Sequence, residues 1–553
     1  MSSWDEGYNT DLLYPASYFR ELNPLYAKFV FAYQGLAFPH IESGYACELG
    51  FGMGVSINIH ACTSTTTWYG TDFNPKQTNA AQRLAAQAKL LPGRDSQGAG
   101  AASQGAGATS QGAGTAKTSV ADSTKIHLSD TDFASFAARD DLPQFDYICL
   151  HGIWSWISPE NQQHIVDFVG KHLKVGGVFY ISYNTAPGFT SFEPVRHLMR
   201  EHNRLFAAPG EDRAQQLQEE YSFLKGLLES KPGYASHVPN IGKTIDDTFK
   251  EDVHYLVQEY LNNHWDIVHF SDVVTALDRA KLSFACSATA TEFIDTLNLT
   301  EEQQKFLAPY KNTELYESVR DFIVNQQFRR DFFVKGAVKL NAAQKAEALN
   351  NMFFVITIPA DKFTYSYKAR LGEANFKKEI YQPIMQYFSD FKARSYAQAR
   401  EALKNNDKIT DQNFAEAILT LTAIGSLSPA VDPSTISPEI KERCQSLNRY
   451  LILGNDNLKV QFLSSPVVQG GFFIGDTKMQ FLRFYLQNEQ NHQKNSKENL
   501  VESMLKQIES SGGTLKQKGT PITDKEEQKK VLGELVEGFL NTDLKALQRL
   551  YII

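Results

Sequence analysis

The chain is short of the features that mark several large protein classes. It has only five cysteines in 553 residues, at 47, 62, 149, 286 and 444, and none pairs into a C-x-x-C motif. No metal site or disulfide framework is therefore expected, and a reducing compartment fits. Basic residues are not in excess. Lys plus Arg is 55 against 63 for Asp plus Glu, a net charge of -8. That argues against broad nucleic-acid binding, which needs a basic face. No apolar run reaches the roughly 18–20 residues that cross a bilayer. The opening Met1-Ser2-Ser3-Trp4-Asp5-Glu6 has no basic region and no apolar core, so no signal peptide is read there. The expectation is a cytoplasmic protein that neither enters a membrane nor binds nucleic acid. Mild acidity suits a cationic partner such as a lysine-bearing protein, but it is also ordinary for soluble proteins.

What is present begins with Glu48-Leu49-Gly50-Phe51-Gly52-Met53-Gly54. It follows a short apolar run and precedes a plausible helix from Val55. A strand passing through a glycine turn into a helix is where open α/β sheets grip cofactors. Glycines let the backbone approach the ligand closely, and the helix start offers unpaired N–H groups. The dinucleotide fingerprint is G-x-G-x-x-G. Here the spacing is G-x-G-x-G behind an acid, which resembles the first motif of class I S-adenosylmethionine-dependent methyltransferases. Asp72 closes a second apparent strand (Thr67–Thr71) and can accept both ribose hydroxyls, a role that would also serve NAD. Phe51 lies within the glycine turn and is counted with the cofactor set.

Residues 44–184 alternate strand and helix, which implies a doubly wound, Rossmann-like, mostly parallel sheet covered on both faces. Strands are read near 45–48, 66–70, 125–128, 145–150 and 177–183, and helices near 54–62, 75–90, 131–138 and 159–173. In the last helix Ser158 caps and Pro159 suits the first position. Gly176-Gly177 is read as its end. Between 94 and 119 the unit Ser-Gln-Gly-Ala-Gly recurs at 96, 103 and 110. With no side chain there to bury, a disordered insertion is expected, on the sheet edge opposite the cofactor. Beyond about 190 the pattern turns mainly helical, including 247–335. A small hairpin is read at 352–370 around Pro359-Ala360-Asp361. The expected division is 1–190 for the cofactor domain, 191–335 for a helical middle region and 336–553 for a mainly helical C-terminal domain.

Several side chains fall where chemistry would occur. His151 ends the fourth strand and could touch the cofactor's methionine part. Trp154 and Trp156 could wall a channel for an amine, since aromatic faces exclude water and attract cations; core packing is the other reading for each. Tyr183 and Asn184 end the fifth strand and could orient the attacking nitrogen. Tyr14 and Tyr18 could fold over the cofactor. Phe73 and Phe133 could sandwich adenine, with Asp132 favoured to take its amino group and Asp130 left to cap the helix. The proton acceptor stays open among a tyrosine, His151 and a water path.

The tyrosine–proline lead at Tyr14-Pro15, Glu48 to Gly54, Leu150-His151-Gly152 to Ser155-Trp156, and Ser182-Tyr183-Asn184 with Pro187-Gly188 occur together and in order. Two later segments accompany them: Gln258-Glu259-Tyr260-Leu261-Asn262, and Arg320-Asp321-Phe322 with Asn325, Phe328 and Arg329. Together they resemble methyltransferases that carry the methyltransferase regulatory domain, most nearly the rickettsial protein lysine methyltransferases that modify outer membrane protein B. The family often has His where this chain has Gln258. The resemblance spans roughly residues 8–335 and more loosely the rest. It implies S-adenosylmethionine as cofactor, lysines of an outer membrane protein as substrate, and a homodimer formed through the middle region. A small-molecule methyltransferase and a non-catalytic scaffold with a retained methyltransferase core are the alternatives.

Overall fold

The computed structural model describes residues 8, 13–91, 124–208, 212–311, 313–454, 458–492, 494–517 and 520–553. The repeat at 94–119 lies outside them.

A seven-stranded sheet organises the first part of the chain. Its strands are β1 (Tyr45–Leu49), β2 (Thr67–Thr71), β3 (Ile126–Ser129), β4 (Phe145–Leu150), β5 (Leu173–Asn184), β6 (Ser283–Ser287) and β7 (Phe328–Val334). Their order is β3-β2-β1-β4-β5-β7-β6. The first five run parallel, and β7 lies antiparallel between β5 and β6. The order reverses between β1 and β4, so a crevice opens at their carboxyl ends, the usual ligand site of this topology.

Alternate residues of each strand face opposite sides. Ala46, Trp68, Tyr147, Cys149 and Tyr180 pack in one buried cluster, and Cys47, Leu49, Ile148, Leu150 and Ile181 in another. The helices α1 (Pro24–Gln34), α2 (Val55–Thr63) and α3 (Pro75–Gln87) cover the first face. On the second lie α4 (Phe133–Ala137) and α5 (Pro159–His172). Ser158 does cap α5, its hydroxyl accepting from Asn161 N–H at 3.2 Å. The helix stops at His172, however, and Gly176-Gly177 lie inside β5, where its register against β4 shifts.

Two strands fall where helix was expected. In β7 the core face of Phe332 and Val334 alternates with buried Arg329 and Asp331. Those charges hide the period-2 apolar signal that marks a strand. They are tolerated because Arg329 meets Asp321 at 2.7 Å, Asp331 at 2.8 Å and Glu317 at 2.9 Å. The hairpin read at 352–370 is also different. Phe353–Ile356 pairs with Leu427–Ala430 and Arg394–Ser395, while Ser366–Ala369 pairs with Gly372–Asn375.

The C-terminal part packs on the methyltransferase-like core. Its helix Pro438–Leu453 lies on α2, with Cys444 and Cys62 sulfurs 3.8 Å apart and Arg443 donating to the Ser64 carbonyl at 3.0 Å. The helix that leaves the glycine turn is thereby covered and fixed.

Candidate cofactor and methyl-transfer site

The glycine turn sits at the carboxyl end of β1. Gly50, Gly52 and Gly54 all have positive φ, at 68°, 56° and 71°. A Cβ on Gly54 would strike the Cβ of Ala81 on α3, so packing dictates that glycine. At Gly52 a Cβ would find nothing nearer than the end of the Gln77 carboxamide at 4.0 Å. Its space lies on the crevice side, a cradle for a ligand and not for a neighbour.

Two buried acids frame this cradle from adjacent strands. Asp72 accepts from Gly52 N–H at 2.8 Å and Asn74 N–H at 3.0 Å. Burial pushes its carboxyl up to about 7 although those two N–H groups pull it down. Glu48 is 4% exposed, and its Oε2 has no hydrogen-bond partner among the described residues. Burial, and then the charge of Asp72, push it up to about 8. A buried, unsatisfied carboxylate is costly, so it marks a place that awaits a donor. A ligand with a diol and an ammonium, such as S-adenosylmethionine, fits: Asp72 can accept hydroxyls, and Glu48 can accept an N–H.

His151 lies just past β4. Its Nδ1 is 2.8 Å from the Tyr180 hydroxyl and 3.2 Å from Ser182 Oγ. The Phe19 ring lies over it with centroids 3.9 Å apart. Burial and the nearby Arg330 push its pKa down to about 3. His151 thus stays neutral near pH 7, with its ring nitrogens able to donate or accept a hydrogen bond. Ser182 also fixes the following turn by accepting from Gly152 N–H at 2.8 Å.

The remaining predicted residues divide. Phe51 is buried in the core beside the turn. Asn184 is 3% exposed at the end of β5; Ser155 Oγ accepts its N–H at 2.9 Å, and no described residue bonds its carboxamide. It remains free to orient a nitrogen. Tyr183 does not: its hydroxyl donates to Asp331 at 2.7 Å inside the Arg329 ion cluster, on the other side of the strand. Trp154 is core, packed with Ile148, Leu150 and Ile165. Trp156 packs with Phe192, Met199 and Tyr260 of the middle region, and its indole N–H has no partner among the described residues. Asp132 is exposed and is itself the cap of α4, accepting from Ser135 N–H at 2.7 Å and Ser135 Oγ at 2.8 Å, so the capping role read for Asp130 is its own. Phe133 packs against the second core cluster.

Tyr14 and Tyr18, the expected cover residues, take different positions. Tyr14 donates to Glu259 at 3.4 Å. Tyr18 is instead buried against His60 and Phe462, and Phe19 supplies the ring over His151. Sequence reasoning also missed Tyr8. Its ring meets Phe73 at 5.5 Å and His264 at 6.2 Å, and its hydroxyl accepts from Ser158 N–H at 3.2 Å. An N-terminal aromatic without a periodic pattern carries no local signal of such a role.

A family model described as a predicted methyltransferase regulatory domain matches residues 252–335, the stretch that supplies β6, β7, Glu259 and His264. The structure of PKMT2 from Rickettsia typhi in complex with AdoHcy superposes with a TM-score of 0.65 at 19% identity, covering 98% of this chain and 99% of that one. An uncharacterized protein of Synechocystis, sll1526, is 30% identical over 85% of this chain and 86% of its own length. An uncharacterized Rickettsia prowazekii protein, RP028, is 26% identical over 45% of this chain and 84% of its own. The fold, the glycine-and-acid site and the regulatory domain define a class I, S-adenosylmethionine-dependent methyltransferase. Within that class, the chain belongs to the family that includes the Synechocystis protein. No helix among the described residues is long and apolar enough to cross a membrane.

Proposed function

We propose that the protein transfers methyl groups from S-adenosylmethionine to lysine side chains of a protein, with an outer membrane or surface protein as the target. The donor half rests on one observation above all: the unpaired Glu48 oxygen beside Asp72, over a glycine turn open on the ligand side. The cofactor supplies a methyl on a sulfonium, so its leaving group needs no acid. The chain must then bind, orient and exclude water. Asp72 and Glu48 hold the donor. Neutral His151 and Phe19 close one wall. Asn184, with a free carboxamide, can accept a hydrogen bond from an incoming amine and hold its lone pair in line.

A protein substrate is supported by who builds the rim. Glu259, His264 and Phe328 come from the regulatory segment, outside the parallel core, and Tyr14 comes from the N-terminal lead. The full-length likeness to PKMT2 agrees with a role for every part of the chain. The same reading makes the working form a cytoplasmic homodimer, which light scattering of the purified protein tests. The reaction itself is tested with methyl-labelled S-adenosylmethionine and a lysate of the source cells. Label recovered as methyl-lysine after protein hydrolysis is the expected result. Label confined to small molecules overturns the protein substrate, and no transfer at all overturns the activity.

A further inference from the structure

Glu259 lies on the helix Val253–Tyr260. It is 8% exposed, yet no described cation pairs with it, and its one described partner is the Tyr14 hydroxyl at a long 3.4 Å. The packed helix Arg213–Glu229 brings Glu220, which is met by His202 at 3.1 Å. The helix Glu193–Phe206 brings Arg196, which is spent on the Asn262 carbonyl and the Trp265 ring. Burial and the Tyr14 hydrogen bond are what act on Glu259. Its charge in turn is felt by Tyr14, Tyr255 and Tyr260, the last two of which also feel Glu251, and Tyr260 feels Arg196. The group is an acid among rings, with no positive charge of its own.

We propose that Glu259, with the Tyr14, Tyr255 and Tyr260 rings, forms a docking subsite for an alkylammonium ion, the end of a substrate lysine. It rests on the lysine reading above. A carboxylate gives the cation its charge-assisted partner, and aromatic faces add cation–π attraction while shedding water. The place is also right. Tyr14 stands five residues before Phe19, which lies over His151, and Tyr260 shares a cluster with Trp156, just past the His151 turn. The fit is to an unbranched amine on a long chain, since the carboxylate is only 8% exposed.

The carboxyl of Glu259 is pushed up to about 8 by burial. A docked cation must first find it ionised, so affinity should rise between pH 6.5 and 8.5.

The test uses n-butylammonium, the lysine side chain without its backbone, titrated calorimetrically into the full-length protein saturated with S-adenosylhomocysteine. The wild type should bind, at least fivefold more tightly at pH 8.5 than at pH 6.5. Glu259→Gln should weaken binding at least tenfold and flatten the pH dependence, with S-adenosylhomocysteine affinity unchanged as proof of folding. Equal binding by Glu259→Gln, or no binding by the wild type, overturns the subsite. If butylammonium binds through Glu259 but no methyl-lysine forms in a lysate, the subsite stands and the lysine reaction falls.

Discussion

Glu48→Gln should make the cofactor-free protein more stable, and increasingly so as pH rises. The glutamate carboxyl sits at about 8 in the folded protein against 4.5 when unperturbed, because it is buried and faces Asp72. A raised carboxyl favours folding while it stays protonated. That contribution is complete below about pH 4.5 and is lost progressively as pH climbs toward 8. Each unit of difference carries about 1.4 kcal/mol. Part of the burden is shared with Asp72, leaving roughly 3 kcal/mol for Glu48 alone near pH 8. Glutamine keeps the shape and never ionises. For a cooperative unit of roughly 300 residues, ~3 kcal/mol is about 5 °C in Tm. Scanning calorimetry of both proteins from pH 5 to 9 should show curves that lie closest near pH 5 and separate progressively up to about pH 8, with the variant higher. Adding S-adenosylhomocysteine should stabilise the wild type more than the variant, because only the glutamate gains a charge-assisted bond. Parallel curves across the whole range would refute the buried, unpaired acid and its role in the donor site.

Asp72→Ala should weaken S-adenosylhomocysteine by about 100-fold, the loss of two hydrogen bonds to a charged acceptor; calorimetric titration measures it, and unchanged affinity would move the cofactor elsewhere. Gly54→Ala should destabilise by roughly 3 kcal/mol, from a positive φ that L residues resist and from contact with Ala81, read as a fall in Tm with ligand absent. Arg329→Met leaves Asp321 and Asp331 buried without a cation and should cost about 3–5 kcal/mol in thermal or urea unfolding. By contrast, Tyr183→Phe should lose only about 1 kcal/mol and keep kcat within about twofold; a large fall in kcat with normal Tm would return that tyrosine to the catalytic set. Removing 94–119 should leave cofactor affinity unchanged, since Lys125 N–H donates to the Leu90 carbonyl at 3.0 Å and already ties the flanks together.

The donor half of the site was legible because its signal is local. Strand, glycines, acid and helix are contiguous from Glu48 to Val55, and Asp72 repeats the pattern one strand later. The buried apolar run of β4, and the strand–helix alternation around it, made β1 to β5 readable in the same way. The acceptor half was less so. Tyr183 and Asn184 are adjacent, and only the strand's alternation decides that one faces an ion cluster and the other the crevice. Nothing local in the sequence shows that Asp132, favoured for the adenine amino group, and not Asp130, is the one that Ser135 N–H makes the cap. β7 escaped because its buried charges imitate a solvated face, β6 because its five residues are short and mixed in polarity, and the pairing partners of both lie far off in sequence. Glu259 lies within the Gln258–Asn262 segment, but its lack of a cation among the described residues is a fact of packing that no spacing conveys.

The placement of β7 bears on how the protein is made. Asn184 pairs with Phe328 and Tyr180 with Phe332, so β5 leaves the ribosome long before its neighbour. At ordinary translation rates the gap lasts on the order of ten seconds. Throughout that interval the nascent sheet ends in an unpaired, apolar edge, a template for pairing with other chains. The intervening helices must emerge, and stay out of the way, before the edge closes. Synthesis should therefore be the most aggregation-prone moment in the life of this protein, and slower translation past residue 184 would lengthen it.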